Sequence, residues 1–325
     1  MDQIKNAIIQ PIQKEIETFQ TLFNEALQGH NLEIQEMLDY IAGTNGKRIR
    51  PIILFLSARL CGTINRQTIE YAIIVELLHT ATLIHDDVVD NTAERRGRSS
   101  INAKFDNQSA VLLGDYILSL AIVRGIKTRN FEALEVMGKL AQHLSEGELS
   151  QLFFSKNQLI NEKNYFEIIR KKTAILLASC TELGAISVNA DRDDIDFLRR
   201  IGENLGICFQ IKDDIFDYFE QGDIGKPTGN DIREGKITLP LIYALNTAPK
   251  AVSDTMLAIV REQDYSHENI LKLTGFAKKY KGIEYARSYM QSIKEETITL
   301  LARYPDSEVK TALIDLVSYI IEREK

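Results

Sequence analysis

The sequence is poor in proline and in cysteine, and each shortage narrows the architectures open to it. Only 6 of the 325 residues are proline, so long helices can run uninterrupted. The three cysteines, Cys61, Cys180 and Cys208, are widely spaced in apolar surroundings and form no CxxC pair or other metal-binding spacing. We interpret them as reduced core thiols and expect a cytoplasmic protein.

Long apolar runs and an excess of positive charge are also missing. Residues 1–5 lack the basic start and apolar block of a signal peptide. Acidic residues such as Glu76 interrupt the longest apolar stretches well short of a membrane span. The formal net charge of -7 argues against a broad nucleic-acid surface, so any anion site must be a local basic cluster. We therefore expect no transmembrane segment and no nucleic-acid partner.

Apolar residues, in contrast, recur at three- and four-residue spacing almost everywhere, and strand-like alternation is nearly absent. The length allows one large domain or two smaller ones, but no low-complexity linker divides the chain. We predict an all-α, single-domain helical bundle over residues 1–325, with Asn65 and Asn107 as helix N-caps and Gly125 as a helix C-cap. The predicted helices cover residues 2–28, 32–42, 47–61, 66–90, 107–126, 130–155, 161–189, 192–220, 234–246, 251–261, 267–280, 282–302 and 306–324.

One carboxylate pattern occurs twice, each time inside an apolar helical run. The two copies are Asp86-Asp87-Val88-Val89-Asp90 and Asp213-Asp214-Ile215-Phe216-Asp217. Positions i, i+1 and i+4 span about 100° of a helix, so each copy crowds three like charges onto one face. A single copy is usually a solvated helix face, and neither copy has the spacing of an EF-hand loop. Two copies make sense if they face each other across a cavity that holds hard divalent cations, with magnesium, manganese or calcium favoured over zinc.

Basic residues accompany both acidic patterns. Arg95, Arg96 and Arg98 follow the first copy, Lys226 and Lys236 follow the second, and the segment 46–51 opens a helix with Lys47, Arg48 and Arg50. Arginine offers a planar fork for phosphate oxygens, and a helix N-terminus adds free amide donors. Any one of these residues could be an ordinary surface charge. Together with bound metals they predict a diphosphate site.

On these residues the sequence resembles the trans-isoprenyl diphosphate synthases, also called polyprenyl synthetases. The resemblance spans roughly residues 40 to 245, and the matching motifs are Gly46–Pro51, His79–Asp90 with Arg95-Arg96-Gly97, Gly114-Asp115, Glu146-Gly147-Glu148, Lys171–Ala174, Phe209–Asp214, Gly225-Lys226-Pro227 and Gly235-Lys236. It implies an all-α bundle with a central cavity, a homodimer and three magnesium ions per site. It also implies a sequential condensation of isopentenyl diphosphate onto an allylic diphosphate, with release of diphosphate.

The resemblance further implies a role for each matching residue. Isopentenyl diphosphate would be bound by Gly46, Lys47, Arg50, His79 and Arg96. The allylic diphosphate would be bound by Arg95, Lys172, Lys226 and Lys236, and through magnesium by Asp86, Asp90 and Asp213. Asp87, Asp214 and Asp217 would complete the metal site directly or through water, and Thr173 and Gln210 would stabilise the allylic cation with their oxygen dipoles.

Product length is predicted from what precedes Asp86. Short-chain members of the family resembled here carry Phe or Tyr four or five residues before the first Asp, where this sequence has Thr82 and Ala81. Leu78 continues the same face, and the first aromatic residue is Tyr71, about 22 Å from Asp86 along a helix. We therefore predict a long product, heptaprenyl to decaprenyl, with a floor from another helix around residues 118–122.

Three alternatives stay open. A short-chain synthase would use the same motifs with a shallower cavity. A class I terpene cyclase usually keeps only one Asp-rich motif, and a non-catalytic partner subunit should have lost several of Asp86, Asp90, Lys172 and Asp213. All four are present.

Overall fold

The computed structural model describes residues 2–29, 31–43, 48–95, 97–219 and 229–323. Helices dominate these ranges, which confirms the predicted all-α class. The elements are α1 Asp2–Ile9, α2 Gln13–Ala26, α3 Leu32–Ala42, α4 Ile49–Cys61, α5 Arg66–Val89, β1 Glu94–Arg95, β2 Arg98–Ser99, α6 Ile101–Lys104, α7 Asn107–Thr128, α8 Phe131–Lys156, α9 Glu162–Ile169, α10 Ile175–Ser187, α11 Arg192–Phe216, α12 Asn230–Arg233, α13 Leu239–Thr247, α14 Lys250–Glu262, α15 His267–Lys279, α16 Gly282–Leu301 and α17 Glu308–Glu322.

Most predicted helices are present, and the differences have local causes. The helix predicted over 2–28 is divided by a 3-10 turn at Gln10–Ile12, which contains Pro11 and therefore one backbone donor fewer. The helix predicted from residue 234 begins only at Leu239, with Pro240 in its first turn. The predicted cap at Asn107 is wrong, because the Asp106 side chain accepts the hydrogen bond from the Ser109 amide.

Gly125 is likewise not a C-cap, because it lies buried inside α7. A Cβ atom there would come within 2.9 Å of a methyl group of Leu134. The glycine therefore permits close packing with the start of α8 rather than ending a helix.

The backbone divides into two compact units. The first comprises residues 1–141, 176–202 and 304–313, and the second comprises residues 142–175, 203–303 and 314–325. The prediction of a single domain over the whole chain stays a prediction.

The first unit is organised around α5, which packs against α4 and α7. Its side chains are buried on almost every side over Tyr71–His79, so α5 is a central helix rather than a surface helix. An N-terminal capping box begins it, since Asn65 accepts from the Thr68 amide and Thr68 Oγ1 accepts from the Asn65 amide. At its other end, His85 Nε2 lies 3.1 Å from the Val111 carbonyl oxygen, over Gly114. A side chain at position 114 would occupy the space of the His85 ring, so the Gly114-Asp115 motif serves the α5–α7 contact.

The second unit packs α13 against α15 and α16. Two stacked aromatic pairs join its helices, Tyr243 with Tyr285 at 4.0 Å between ring centroids and Phe166 with Tyr289 at 4.7 Å. Within this unit, α9 continues through a π-helical turn at Arg170–Ala174. A turn of this kind is frequent at functional sites, and this one contains predicted catalytic residues.

Among the described helices, α7 is long and apolar enough to cross a membrane by length and composition. A third of its apolar window is buried inside the protein. Core helices of soluble proteins meet the same criterion, so this property by itself assigns no membrane span.

Candidate active site

The first acidic motif lies at the end of α5. Asp86 is partly exposed and Asp90, the C-cap residue, is exposed, whereas Asp87 is buried. Asp87 Oδ1 accepts from Arg95 Nε at 2.8 Å and lies 2.7 Å from Arg95 Nη2. This pair anchors the β1–β2 hairpin to α5, because Arg95 belongs to β1. Of the three carboxylates, Asp86 and Asp90 are therefore the solvent-accessible ones.

The basic segment before α4 meets α5 at a buried carboxylate. Glu76 is 5% exposed and lies 3.0 Å from Arg48 Nη1 and 3.9 Å from Arg50 Nη1. Arg48 adopts a left-handed backbone at φ 49° and lies over the Phe23 ring at 4.8 Å. One turn along α5 from Glu76 is His79, which is also buried. Glu76 thus orients two arginines of the predicted diphosphate-binding segment.

Four predicted binding residues lie outside the described residues. They are Gly46, Lys47, Arg96 and Lys226.

In the second acidic motif, Asp214 is buried and joined to three other side chains of the same unit. Tyr165 donates to its Oδ2 at 2.6 Å, and Gln210 donates to its Oδ1 at 2.8 Å. Gln210 in turn accepts from Thr173 Oγ1 at 2.7 Å. Burial raises the pKa of Asp214 well above its usual range, and the nearby Asp231 adds to that rise, while both hydrogen bonds oppose it. These hydrogen bonds link Thr173 and Gln210 to the carboxylate of Asp214. Thr173 and Gln210 are the two residues predicted to stabilise a cation.

Asp217 holds the start of α12. Its two oxygens accept from the amides of Asn230 at 2.8 Å and Asp231 at 3.0 Å. Burial raises the pKa of Asp217 against the effect of these donors, and burial together with the charge of Asp217 raises the pKa of Asp231 to about 7. The Lys236 amide donates to the Asp231 carbonyl oxygen, and Lys236 Nζ lies 2.7 Å from Glu234 Oε2. Residues 230–236 are therefore tied back to Asp217.

The π turn positions Lys172. Its Nζ lies 2.5 Å from Glu148 Oε1, and Lys171 Nζ lies 3.5 Å from Glu146 Oε2. Between those glutamates, a Cβ atom at Gly147 would come within 2.9 Å of the Lys172 backbone nitrogen. The Glu146-Gly147-Glu148 motif therefore lets α8 approach the π turn closely and pairs with both lysines.

The residues predicted to set product length lie on α5. Ala81 and Leu78 are buried, at 2% and 5% exposure, and Thr82 is partly buried with its Oγ1 donating to the His79 carbonyl oxygen. In the range predicted for the floor, on α7, Ala121 is buried and Ile122 is 53% exposed. Of these two side chains, Ala121 is therefore better placed to contribute to a floor inside the protein.

Within the ranges that the structure describes, no group of three or more Asp, Glu, His or Cys residues comes together closely enough to hold a metal ion. Each acidic motif has one buried Asp bound to protein partners, Asp87 or Asp214. The prediction that the two motifs face each other concerns the relation of the two units, and it stays a prediction.

Several site residues were missed from the sequence. Glu76 contacts Arg50, and Glu148 contacts Lys172, so each pairs with a predicted binding residue. Of the two, Glu148 could have been found from the sequence, because it belongs to the Glu146-Gly147-Glu148 motif. Tyr165, Asp231 and Arg323 had no pattern to mark them, although Arg323 Nη2 lies 2.6 Å from Asp213 Oδ1.

Comparison with known proteins identifies the family. The model of the family described as polyprenyl synthetase matches residues 31–275. The octaprenyl diphosphate synthase of Haemophilus influenzae is 34% identical over 87% of this chain and 86% of its own length.

Solved structures agree with this match. A decaprenyl diphosphate synthase from Rhodobacter capsulatus has a TM-score of 0.92 at 33% identity, with 99% of each chain covered. A geranylgeranyl pyrophosphate synthase from Bacteroides thetaiotaomicron has a TM-score of 0.86 at 40% identity, covering 99% of this chain and all of the other. A polyprenyl synthase from Caulobacter crescentus, complexed with calcium and isoprenyl diphosphate, has a TM-score of 0.90 at 28% identity, covering 99% of this chain and 98% of that one. The family match, the 34% identity to an octaprenyl diphosphate synthase and the shared all-α fold together show that this chain belongs to the polyprenyl synthetase family and is a prenyltransferase.

Proposed function

We propose that this protein is a long-chain all-trans polyprenyl diphosphate synthase, which adds isopentenyl diphosphate units repeatedly to an allylic diphosphate. The observation that carries the proposal is the wall of α5 behind Asp86, where Ala81 and Leu78 are buried and no aromatic side chain occurs before the buried Tyr71. Aliphatic burial stabilises a growing hydrocarbon along its length, and an absent aromatic floor leaves it room. The octaprenyl and decaprenyl synthases named above support the same product class.

A short-chain product is the second candidate. The geranylgeranyl synthase from Bacteroides thetaiotaomicron has a higher identity to this chain than the decaprenyl synthase does. Overall identity reflects mainly the residues that pack the fold, whereas product length depends on a few residues of the cavity. We therefore give the side chains of α5 more weight than the overall identity.

The substrate diphosphates would be held by cations that the fold already orients. Arg50, with Glu76 beside it, and His79 would bind isopentenyl diphosphate together with Gly46, Lys47 and Arg96. Arg95 and Lys172 would bind the allylic diphosphate together with Lys226 and Lys236. Glu148 and Asp87 hold the Lys172 and Arg95 side chains before substrate arrives, which lowers the cost of ordering them.

Magnesium fits the exposed carboxylates. Asp86, Asp90 and Asp213 offer only oxygen ligands and remain accessible, as a hard divalent cation requires. Asp87, Asp214 and Asp217 would stabilise the positions of these ligands, since each is bound to protein donors. Three bound magnesium ions would stabilise the negative charge of a departing diphosphate.

The protein's own groups would perform the rest of the reaction. The lysines and arginines neutralise the leaving diphosphate, so the allylic carbon–oxygen bond breaks without a side-chain nucleophile. Thr173 and Gln210 present oxygen dipoles to the resulting cation. The double bond of isopentenyl diphosphate attacks that cation, and a proton lost from the new carbon skeleton completes one condensation. Apolar walls exclude water, which would otherwise capture the cation.

A homodimer is part of the proposal. Exposed apolar side chains follow one stripe of α7, including Leu112 at 68%, Ile122 at 53% and Ile126 at 59% exposure. Exposed apolar patches of this kind mark interaction surfaces. We expect Leu112→Glu to shift the protein from dimer to monomer in multi-angle light scattering, while Lys127→Glu on the same helix leaves the mass unchanged. A wild-type monomer at micromolar concentration would contradict the dimer.

Product analysis tests the proposed function. Purified protein, magnesium, labelled isopentenyl diphosphate and farnesyl diphosphate should give products of 35 carbons or more in chromatography. Mainly 20-carbon product would instead establish the short-chain candidate. Ala81→Leu and Ala81→Phe should shorten the product in that order, because each fills more of the wall. The rate of the first condensation is the control, and an unchanged product in Ala81→Phe would show that the chain grows elsewhere.

A further inference from the structure

Arg323, one residue beyond the end of α17, binds the second acidic motif. Its Nη2 lies 2.6 Å from Asp213 Oδ1 and donates to the Phe209 carbonyl oxygen at 3.1 Å. Its backbone amide donates to the Tyr319 carbonyl oxygen, which continues the last turn of the helix. The residue is 7% exposed. The last described residue of the chain is therefore buried on a carboxylate that we assign to the metal site.

Two aromatic rings fix the guanidinium group. Its Cζ lies 4.2 Å from the ring centroid of Phe209 and 5.5 Å from that of Phe216. Positions 209, 213 and 216 are spaced four and three residues apart, so they form one stripe of α11. Arg323 covers this stripe and contacts each of its three members. Stacking on the rings and the hydrogen bond to the backbone leave the guanidinium little freedom.

Fold stability alone does not account for this arrangement. A buried ion pair gives little net stability, because desolvation offsets the Coulombic gain. Arg323 Nε is moreover buried without a hydrogen-bond partner among the described residues, which costs free energy. Asp213, in contrast, keeps 42% of its side chain exposed. Arg323 thus holds one oxygen of a carboxylate that is still accessible to a ligand.

Hydrogen bonds to a ligating group have a known effect on metal sites. They orient the ligand, and their loss usually costs 10- to 100-fold in metal affinity or activity. The positive charge of Arg323 acts the other way, since it competes with a cation for Asp213. Because Asp213 is partly exposed, solvent screens this repulsion, and we expect orientation to dominate.

We propose that Arg323 is a positioning residue of the active site, which orients Asp213 to receive a divalent cation and so makes the C-terminal helix a part of the metal site. The proposal rests on the proposed function, because that function makes Asp213 a metal ligand. A planar guanidinium suits this role, since it stacks on Phe209 and Phe216 while its Nη2 contacts both the carboxylate and the Phe209 carbonyl oxygen.

The test measures metal binding directly. Free Mn²⁺ is followed by electron paramagnetic resonance as the full-length protein is titrated in the presence of inorganic diphosphate. We expect Arg323→Gln to weaken Mn²⁺ binding about 10- to 100-fold and to raise the half-activating Mg²⁺ concentration similarly. Arg323→Lys should recover only part of the loss, because an ammonium lacks the planar face that stacks on Phe209 and Phe216. Glu322→Gln, on the neighbouring exposed residue, is the matched control and should bind Mn²⁺ as the wild type does.

Other results would overturn the proposal. Unchanged or tighter Mn²⁺ binding in Arg323→Gln would show that Arg323 does not orient the ligand. If Arg323→Gln fails to fold, Arg323→Lys decides, because a Mn²⁺ affinity equal to that of the wild type would show that the stacked guanidinium does not orient Asp213. Asp213→Asn separates this proposal from the proposed function. Normal Mn²⁺ binding in Asp213→Asn would refute the metal role itself, whereas a defect there with normal Arg323→Gln would refute only the inference about Arg323.

Discussion

Asp231→Asn should alter how the stability of the metal-free protein depends on pH. The backbone contacts of residue 231, to Asp217 and to the Lys236 amide, survive in asparagine, so the substitution removes only the ionisable group. Burial raises the pKa of Asp231 from 3.8 to about 7. A carboxyl group with a raised pKa in the folded state favours the protonated form. Its contribution to stability is therefore fully present below about pH 4 and is lost as pH rises through about 7.

The expected magnitude follows from the shift. A rise of 7 − 3.8, or about 3 pKa units, corresponds to a ceiling of about 4 kcal/mol. The side chain is partly exposed and solvent screens its charge, so we expect about 1–3 kcal/mol.

Urea unfolding in EDTA at pH 5 and pH 8, followed by circular dichroism, measures the effect. The wild type should lose about 1–2 kcal/mol more between the two pH values than Asp231→Asn does, because part of the contribution is already lost at pH 5. Asp254→Asn, at an exposed position of α14, is the control and should follow the wild type. Parallel pH profiles for wild type and Asp231→Asn would refute the reasoning.

Three further predictions concern the site. Lys172→Ala should lower kcat about 10²- to 10³-fold, because a cation that neutralises the leaving group is lost. Lys171→Ala, in the same π turn, should change kcat by no more than a few-fold. Equal effects of the two substitutions in steady-state assays would contradict the assignment. Asp86→Ala should lower turnover about 10³-fold or more with unchanged helical content by circular dichroism, and a near-normal rate would remove Asp86 from the metal site. Tyr165→Phe should lower the free energy of unfolding by about 1–3 kcal/mol, because the buried Asp214 loses a donor. Urea unfolding checks this value, and an unchanged midpoint would show that the bond contributes nothing.

The helices were predictable because their signals are local. Periodicity located α5, α7 and α11 to within a few residues at most ends, and the capping pattern at Asn65 behaved as expected. Local signals failed where packing decides. Gly125 resembles a terminator in the sequence, yet its role is contact with Leu134. The 3-10 turn at Gln10–Ile12 and the π turn at Arg170–Ala174 depend on how neighbouring turns pack, which periodicity does not report.

The charged residues of the candidate site could be predicted from the sequence, but the ion pairs and hydrogen bonds that they form could not. The spacing alone does not distinguish the three carboxylates of each motif, and only the family resemblance separated Asp86, Asp90 and Asp213 from the others. The structure distinguishes them by burial: Asp87 and Asp214 are buried, each with its own donor. Arg323 could not be predicted, since it lies 110 residues from Asp213 and belongs to no motif.

The π turn allows one helix to contribute both Tyr165 and Thr173 to the hydrogen-bond network around Asp214. Tyr165 and Thr173 are eight residues apart, which in a regular α-helix is about 2.2 turns and leaves them about 80° out of phase. A π turn takes up more residues in each revolution, so the rotation between the two positions falls closer to two whole turns. Both hydroxyl groups can then point to α11, where Tyr165 meets Asp214 and Thr173 meets Gln210. Deleting one residue between 170 and 172 would leave a rotation of about 700° in a regular helix, so Tyr165 and Thr173 would still lie on one side of it. The π turn thus absorbs one extra residue while Tyr165 and Thr173 both stay directed to α11.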